Sequence, residues 1–303
     1  MTQRRLSVAL VVVVLLVGTG CSSPSKTASI ESTELAATRV KANAGDVAAQ
    51  LSLGNAYANG EGVPQDDAQA VTWYRQAAEQ GLAQAQHNLG VMYRDGQGVP
   101  QDDAQAVSWF RTAAEQGDAK AQNNLGYAYA NGEGVPQDYA QAVTWYRQAA
   151  EQGHAGAQSN LGFAYANGRG VPQDLVEAVS WDRKAAEQGH EGAQYNLGVM
   201  YRDGQGVPQD YAEAVTWFRT AAEQGYAAAQ FNLVAMYANG RGVPQDLVEA
   251  HKWVNLAASR ASAENQKQYA ETRDLVARFM TPAQLAEAQK LAREWQAAFD
   301  ARQ

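Results

Sequence analysis

Cysteine is almost missing from this 303-residue chain, which has only Cys21. One thiol excludes an intramolecular disulfide, a cysteine-built zinc site and an iron–sulfur cluster. Basic residues are also scarce, 24 against 32 acidic ones, for a formal charge of −8. That balance argues against general nucleic-acid binding, which draws on excess Lys and Arg. Histidine occurs only at His87, His154, His190 and His251. No Ser-His-Asp set assembles from their spacing. His154 and His190 are 36 residues apart, and stacked helix pairs put roughly two helix diameters of ~8–10 Å between equivalent atoms. A shared metal is therefore not expected, and the histidines read as surface residues. Neither metal nor cofactor is expected. Apolar residues make up 46% of the chain, enough for a large core, and length alone suggests about two domains. Periodicity overrides that count.

The one long apolar run, Leu6 to Val17 broken only by Ser7, follows Arg4 and Arg5. It is much shorter than the roughly 20 residues of a spanning helix. A basic start, a short apolar stretch and small residues after it describe an export signal. Gly18-Thr19-Gly20-Cys21 resembles the lipobox of bacterial lipoprotein signal peptides, departing at Gly18, where Leu, Val or Ala is usual. The resemblance implies cleavage after residue 20, lipid on Cys21 and attachment to a membrane through several acyl chains, since one chain alone holds weakly. Ser after the Cys implies outer-membrane sorting. An ordinary secretory signal or an uncleaved anchor are the alternatives. Residues 21–29 are polar and read as a tether.

The rest of the chain is one unit written repeatedly. Val-Pro-Gln-Asp recurs at Val63, Val99, Val135, Val171, Val207 and Val243, every interval being 36 residues. Trp73, Trp109, Trp145, Trp181, Trp217 and Trp253 keep the same interval, as do Gly45 to Gly225. Such a period signals a solenoid of stacked supersecondary units. Each unit reads as two helices. In the second, Ala85, Leu89, Met92 and Tyr93 form an apolar face, and Gly96 stops the helix. Asp102 caps the next helix, with Gln105 placed to complete a capping box. That helix carries Ala106, Val107, Trp109, Phe110, Ala113 and Ala114. A buried Trp at ~25 cal/mol/Å² supplies about 5 kcal/mol per unit. Gly54, Gly90, Gly126, Gly162 and Gly198 fall inside the first helix, where Gly costs roughly 1 kcal/mol; this predicts a close backbone crossing. Val234 breaks the series, so the sixth unit should pack differently. Gly60-Glu61-Gly62 and its equivalents are turns, since no strand precedes them and Val-Pro follows. Residues 30–45 read as an N-terminal half-repeat cap, 46–260 as six repeats and 261–303 as C-terminal capping helices, the last beginning at Thr281-Pro282.

On Ala85-Gln86, Asn88-Leu89-Gly90, Tyr93, Gly96, Gly98-Val99, Asp102, Ala106, Trp109, Ala113-Ala114 and Gly117, the units resemble Sel1-like repeats, relatives of tetratricopeptide repeats. The resemblance implies an all-α, right-handed α-solenoid acting as an adaptor in signalling, secretion or envelope assembly. Cysteine-rich members are linked to β-lactam binding and hydrolysis, but their paired cysteines are missing here.

Columns that vary between repeats are free to carry recognition. On the first helix four such columns lie at i, i+3, i+7 and i+10, one helical face. By resemblance to tetratricopeptide repeats this face lines an inner groove that holds peptides. Its candidate partner-binding residues are His87, Arg94, Asn123, Tyr127, Phe163, Tyr195, Arg202 and Phe231, the aromatics as anchors and the arginines as carboxylate partners. Drift at water-facing or gap-filling positions is the competing explanation. The expected function is a non-enzymatic scaffold of the bacterial cell envelope, lipid-anchored and probing a protein partner through its concave face. An envelope hydrolase and a surface-exposed host-interaction lipoprotein are the alternatives.

Overall fold

The computed structural model describes residues 33–302; the expected leader, Cys21 and the tether lie outside them. Among the described residues there are fifteen helices and no strand. The first helices of the six repeats are α2 (Val47–Asn59), α4 (Ala83–Asp95), α6 (Ala119–Asn131), α8 (Ala155–Asn167), α10 (Glu191–Asp203) and α12 (Ala227–Asn239). The second helices are α3 (Asp67–Glu79), α5 (Asp103–Glu115), α7 (Tyr139–Glu151), α9 (Leu175–Glu187), α11 (Tyr211–Glu223) and α13 (Leu247–Arg260). α1 (Thr33–Asn43) precedes them, and α14 (Ala263–Ala277) and α15 (Pro282–Asp300) follow. Each helix from α1 to α13 packs on the next in sequence, and α15 packs on α13 beside α14. The result is a solenoid in which each unit leans on its neighbours.

The loops show why the same four residues recur. Asp102 accepts the Gln105 backbone N–H at 2.9 Å, and its own N–H is donated to the Tyr93 carbonyl at 2.9 Å. The other five repeat loops match this, from Asp66 on Tyr57 to Asp246 on Tyr237. The expected capping boxes are therefore half-built: the N-cap N–H already has a partner across the loop, so the Gln or Glu side chain is not needed there. The full box forms at Thr281–Gln284, where no such loop competes.

Two polar ladders bind the units. Gln86 donates to the Ala78 carbonyl of the preceding repeat at 3.1 Å, and Gln116 donates to Gln86 Oε1 at 2.7 Å. This arrangement recurs to Gln224 on Gln194. It ends at Gln230, whose Oε1 is buried without a partner, because Arg260 stands where the next Gln would. Arg260 instead lies 4.8 Å from the rings of both Trp295 and Phe299, covering the end of the stack. In the second ladder Arg75, Arg111, Arg147, Arg183 and Arg219 each donate to a Tyr hydroxyl of the following repeat.

The core corrects the expectation about tryptophan. Trp73 and Trp253, at the ends, are buried, but Trp109, Trp145, Trp181 and Trp217 are only half-buried. The buried aromatic is the next residue. Tyr74, Phe110, Tyr146 and Phe218 lie directly on the helical glycines: a Cβ on Gly54, Gly90, Gly126 or Gly198 would fall 2.5–2.7 Å from the ring. The glycine thus makes room chiefly for a ring, with the nearest backbone, such as the Ala106 carbonyl 3.2 Å from a Gly90 Cβ, behind it. In the sixth repeat both partners change together, Val234 with Val254, and both are buried.

Candidate functional site: the face of the first helices

Clefts open along the row of first helices. One of about 400 Å³ is lined by His87, Asn88, Lys120 and His154. A smaller one of about 150 Å³ is walled by Tyr127, Tyr139, Tyr146, Asn160, Phe163 and Arg169. A third of about 660 Å³ lies where α14 meets the last repeat, between Phe231, Ala235, Leu275 and Phe279. The face expected from column variability therefore contributes to each of them.

The eight candidate residues do not behave alike. Tyr127 and Phe163 are 47% and 48% exposed, large apolar surface presented in neighbouring repeats. Tyr195 is half-buried, 5.3 Å from the Tyr226 ring and 6.0 Å from Phe218. Phe231 stacks on Tyr269 of α14 at 4.1 Å, so the C-terminal cap occupies it. Arg94 and Arg202 are each bidentate on the adjacent carboxylate, Asp95 and Asp203. Their charge is already matched within the chain, and Arg202 also donates to Asn232. His87 bridges Asn88 at 3.2 Å and Asn124 at 3.1 Å; burial pushes its pKa down. Asn123 accepts from Asn160 at 3.0 Å.

Of the histidines expected at the surface, His251 is buried, and His87, His154 and His190 are half-buried with structural partners. His154 and His190 occupy the N-cap column of Asp46 and Asp118, and Nδ1 of each accepts a helix N–H, at 3.1 and 3.2 Å. That bond needs an unprotonated Nδ1. Desolvation lowers the His154 pKa accordingly. His251 takes the position that is Val in the five other repeats and is 3% exposed, with Nδ1 unpartnered. Among the described residues no cluster of His, Cys, Asp and Glu is placed to hold a metal.

One feature at the floor of this face was missed by comparing first helices only. Asp182 stands in the column of Tyr74, Phe110, Tyr146 and Phe218 and is 1% exposed. Asn196 donates to its Oδ1 at 3.3 Å, while Oδ2 has no partner. Burial pushes its pKa up to about 7, with the Asn196 and Ser159 side chains pulling the other way. The second-helix column, read down the sequence, carries the signal: a carboxylate among rings.

A family model described as Sel1 repeat matches residues 47–82, 83–118, 119–154, 155–190, 192–226 and 227–262. Among solved structures, a Sel1 repeat protein from Oxalobacter formigenes is 34% identical, over 74% of this chain and 94% of that one, with a TM-score of 0.66. A protective antigen of uropathogenic Escherichia coli displaying an SLR fold is 30% identical over 85% of each chain, with a TM-score of 0.38. A Klebsiella pneumoniae protein described as a sel1 repeat protein is 25% identical over 64% of this chain and 95% of its own, with a TM-score of 0.44. No curated protein matches.

Proposed function

Because this chain belongs to the Sel1 repeat family, whose members are generally protein-interaction scaffolds, we propose that it is a non-enzymatic scaffold that seats one partner protein on the first-helix face. The observation that carries this reading is the pairing of Tyr127 and Phe163. Both are half-exposed rings in consecutive repeats, and both wall the same cleft. Rings left exposed in an otherwise well-buried array are the residues that anchor partners. The Leu6–Val17 run and Cys21 support placement in a bacterial envelope, on a lipid anchor, facing the periplasm.

Affinity capture from the source cells tests both parts. Tyr127→Asp with Phe163→Asp should remove the partner recovered by the wild type, at an unchanged melting temperature, because both side chains are half in water already. Cys21→Ala should move the protein from the sedimenting membrane fraction to the soluble one. Undiminished recovery by the double variant would remove the face from consideration, and a membrane-bound Cys21→Ala protein would remove the lipid anchor.

A further inference from the structure

Four arginines of the first-helix side can be compared directly. Arg94 and Arg202 are neutralised by Asp95 and Asp203. In the third and fourth repeats the equivalents of those aspartates are Asn131 and Asn167, so the adjacent carboxylate is missing there, and the nearby acid, Glu133 of the α6–α7 loop, borders Tyr127 on the side of Arg94. The loop between α8 and α9 brings in Arg169 at this place. Its guanidinium lies 5.2 Å from the Phe163 ring and 5.5 Å from the Tyr139 ring. Among the described residues no carboxylate forms an ion pair with it. Arg241, at the same loop position two repeats later, lies over one ring only, Tyr211, because Ala235 replaces the second.

A guanidinium packed on two rings loses little further freedom when it binds, and its edge donors remain available to a planar anion. It shares the cleft with Tyr127, Tyr146 and Asn160, so a charged rim adjoins an apolar floor. A cavity of about 150 Å³ has the scale of a side chain and is too small for a folded element. We propose that this cleft is a subsite for an acidic peptide: Arg169 pairs a carboxylate of an extended partner segment while a neighbouring bulky apolar side chain enters between Tyr127 and Phe163. The proposal rests on the scaffold reading above and gives the partner its chemistry.

The test is selection of phage-displayed random dodecapeptides on the full-length chain in detergent micelles, followed by affinities for variants. Selected peptides should pair Asp, Glu or a free C-terminus with a large apolar residue within two positions. Arg169→Glu should weaken them at least tenfold, and Arg293→Glu, the same charge change on exposed α15, less than twofold. Arg169 is exposed, so its variant should fold normally, which circular dichroism checks. Peptides that need Phe163 but carry no acid, or ignore Arg169→Glu, would overturn the acidic subsite and leave the scaffold reading intact. Peptides indifferent to both Phe163→Ala and Arg169→Glu, or no selected peptides at all, would count against both.

Discussion

Replacing Asp182 with phenylalanine should stabilise the protein by about 3 kcal/mol at pH 8, a large gain for one substitution. The space exists. A Cβ on Gly162 would lie 3.2 Å from the Ala178 carbonyl, against 3.2 Å for Gly90 on Ala106 and 3.1 Å for Gly126 on Ala142. The two helices thus cross at the separation that accommodates a ring elsewhere, although the fourth repeat supplies a carboxyl. The gain should depend on pH. With an unfolded value near 3.8 and a folded value of about 7, the folded protein keeps a proton that the unfolded chain has lost. Well below pH 3.8 both states are protonated and Asp182 imposes no ionisation penalty. As pH rises from 4 to 7 the penalty grows, to about 4 kcal/mol at ~1.4 kcal/mol per unit. His87, His154 and His251, with lowered pKa values, act oppositely: their contribution is present above the unfolded value and fades as pH falls through the folded one. Asp182→Asn isolates the carboxyl from them. In urea unfolding the difference between Asp182→Asn and wild type should be near zero at pH 4 and strongly favour the variant at pH 8. A difference that does not move with pH would contradict a carboxyl buried without a compensating cation.

Gly170→Ala should be strongly disruptive, while Gly153→Ala, also at a positive-φ glycine, should be mild. Both backbones are left-handed, at φ +74 and +88, so each variant bears the ~1 kcal/mol or more of placing a Cβ there. At Gly153 nothing lies within 4 Å of the added carbon. At Gly170 the carbon would fall 2.1 Å from the Tyr139 carbonyl oxygen and 2.4 Å from its carbon, the first turn of α7 in the repeat before. Backbone of two units must then separate, at about 3 kcal/mol beyond the shared strain. The lost contact lies midway along the stack, where stability depends on nearest-neighbour interfaces. Urea unfolding should become two-step for Gly170→Ala and stay single for Gly153→Ala. Equal costs at the two glycines would show that the loop does not couple the repeats.

Period carries most of this fold in the sequence. Thirty-six-residue spacing of Val-Pro-Gln-Asp, glycine stops and aspartate caps are enough to place the helix pairs of the six repeats. Partner choice inside the core was not, because periodicity says which positions are invariant without saying which are innermost. Trp109 and Phe110 are adjacent, and only the crossing at Gly90 decides that Phe110 is enclosed while Trp109 stays at the edge. The role of each glycine was hidden in the same way. Gly96 and Gly98 look alike in the sequence, yet one ends a helix and the other rests on Asp67 of the preceding unit. On the candidate face, variability marked a row of positions that borders the clefts but could not separate Phe163, which is half-exposed, from Phe231, which Tyr269 covers. That distinction comes from α14, an element outside the repeat. Arg169 was missed because it sits in the loop and not on the helix face that was compared, although Glu61, Gln97, Glu133, Arg169, Gln205 and Arg241 form a varying column of their own.

Photocrosslinking in living source cells tests the scaffold claim most directly. Benzoylphenylalanine placed at Phe163 should give one discrete adduct with another protein, and the same group at Thr144, exposed on the opposite helix row, should give none. Adducts from Thr144 alone, or equal yields from the two positions, would contradict binding through the first-helix face.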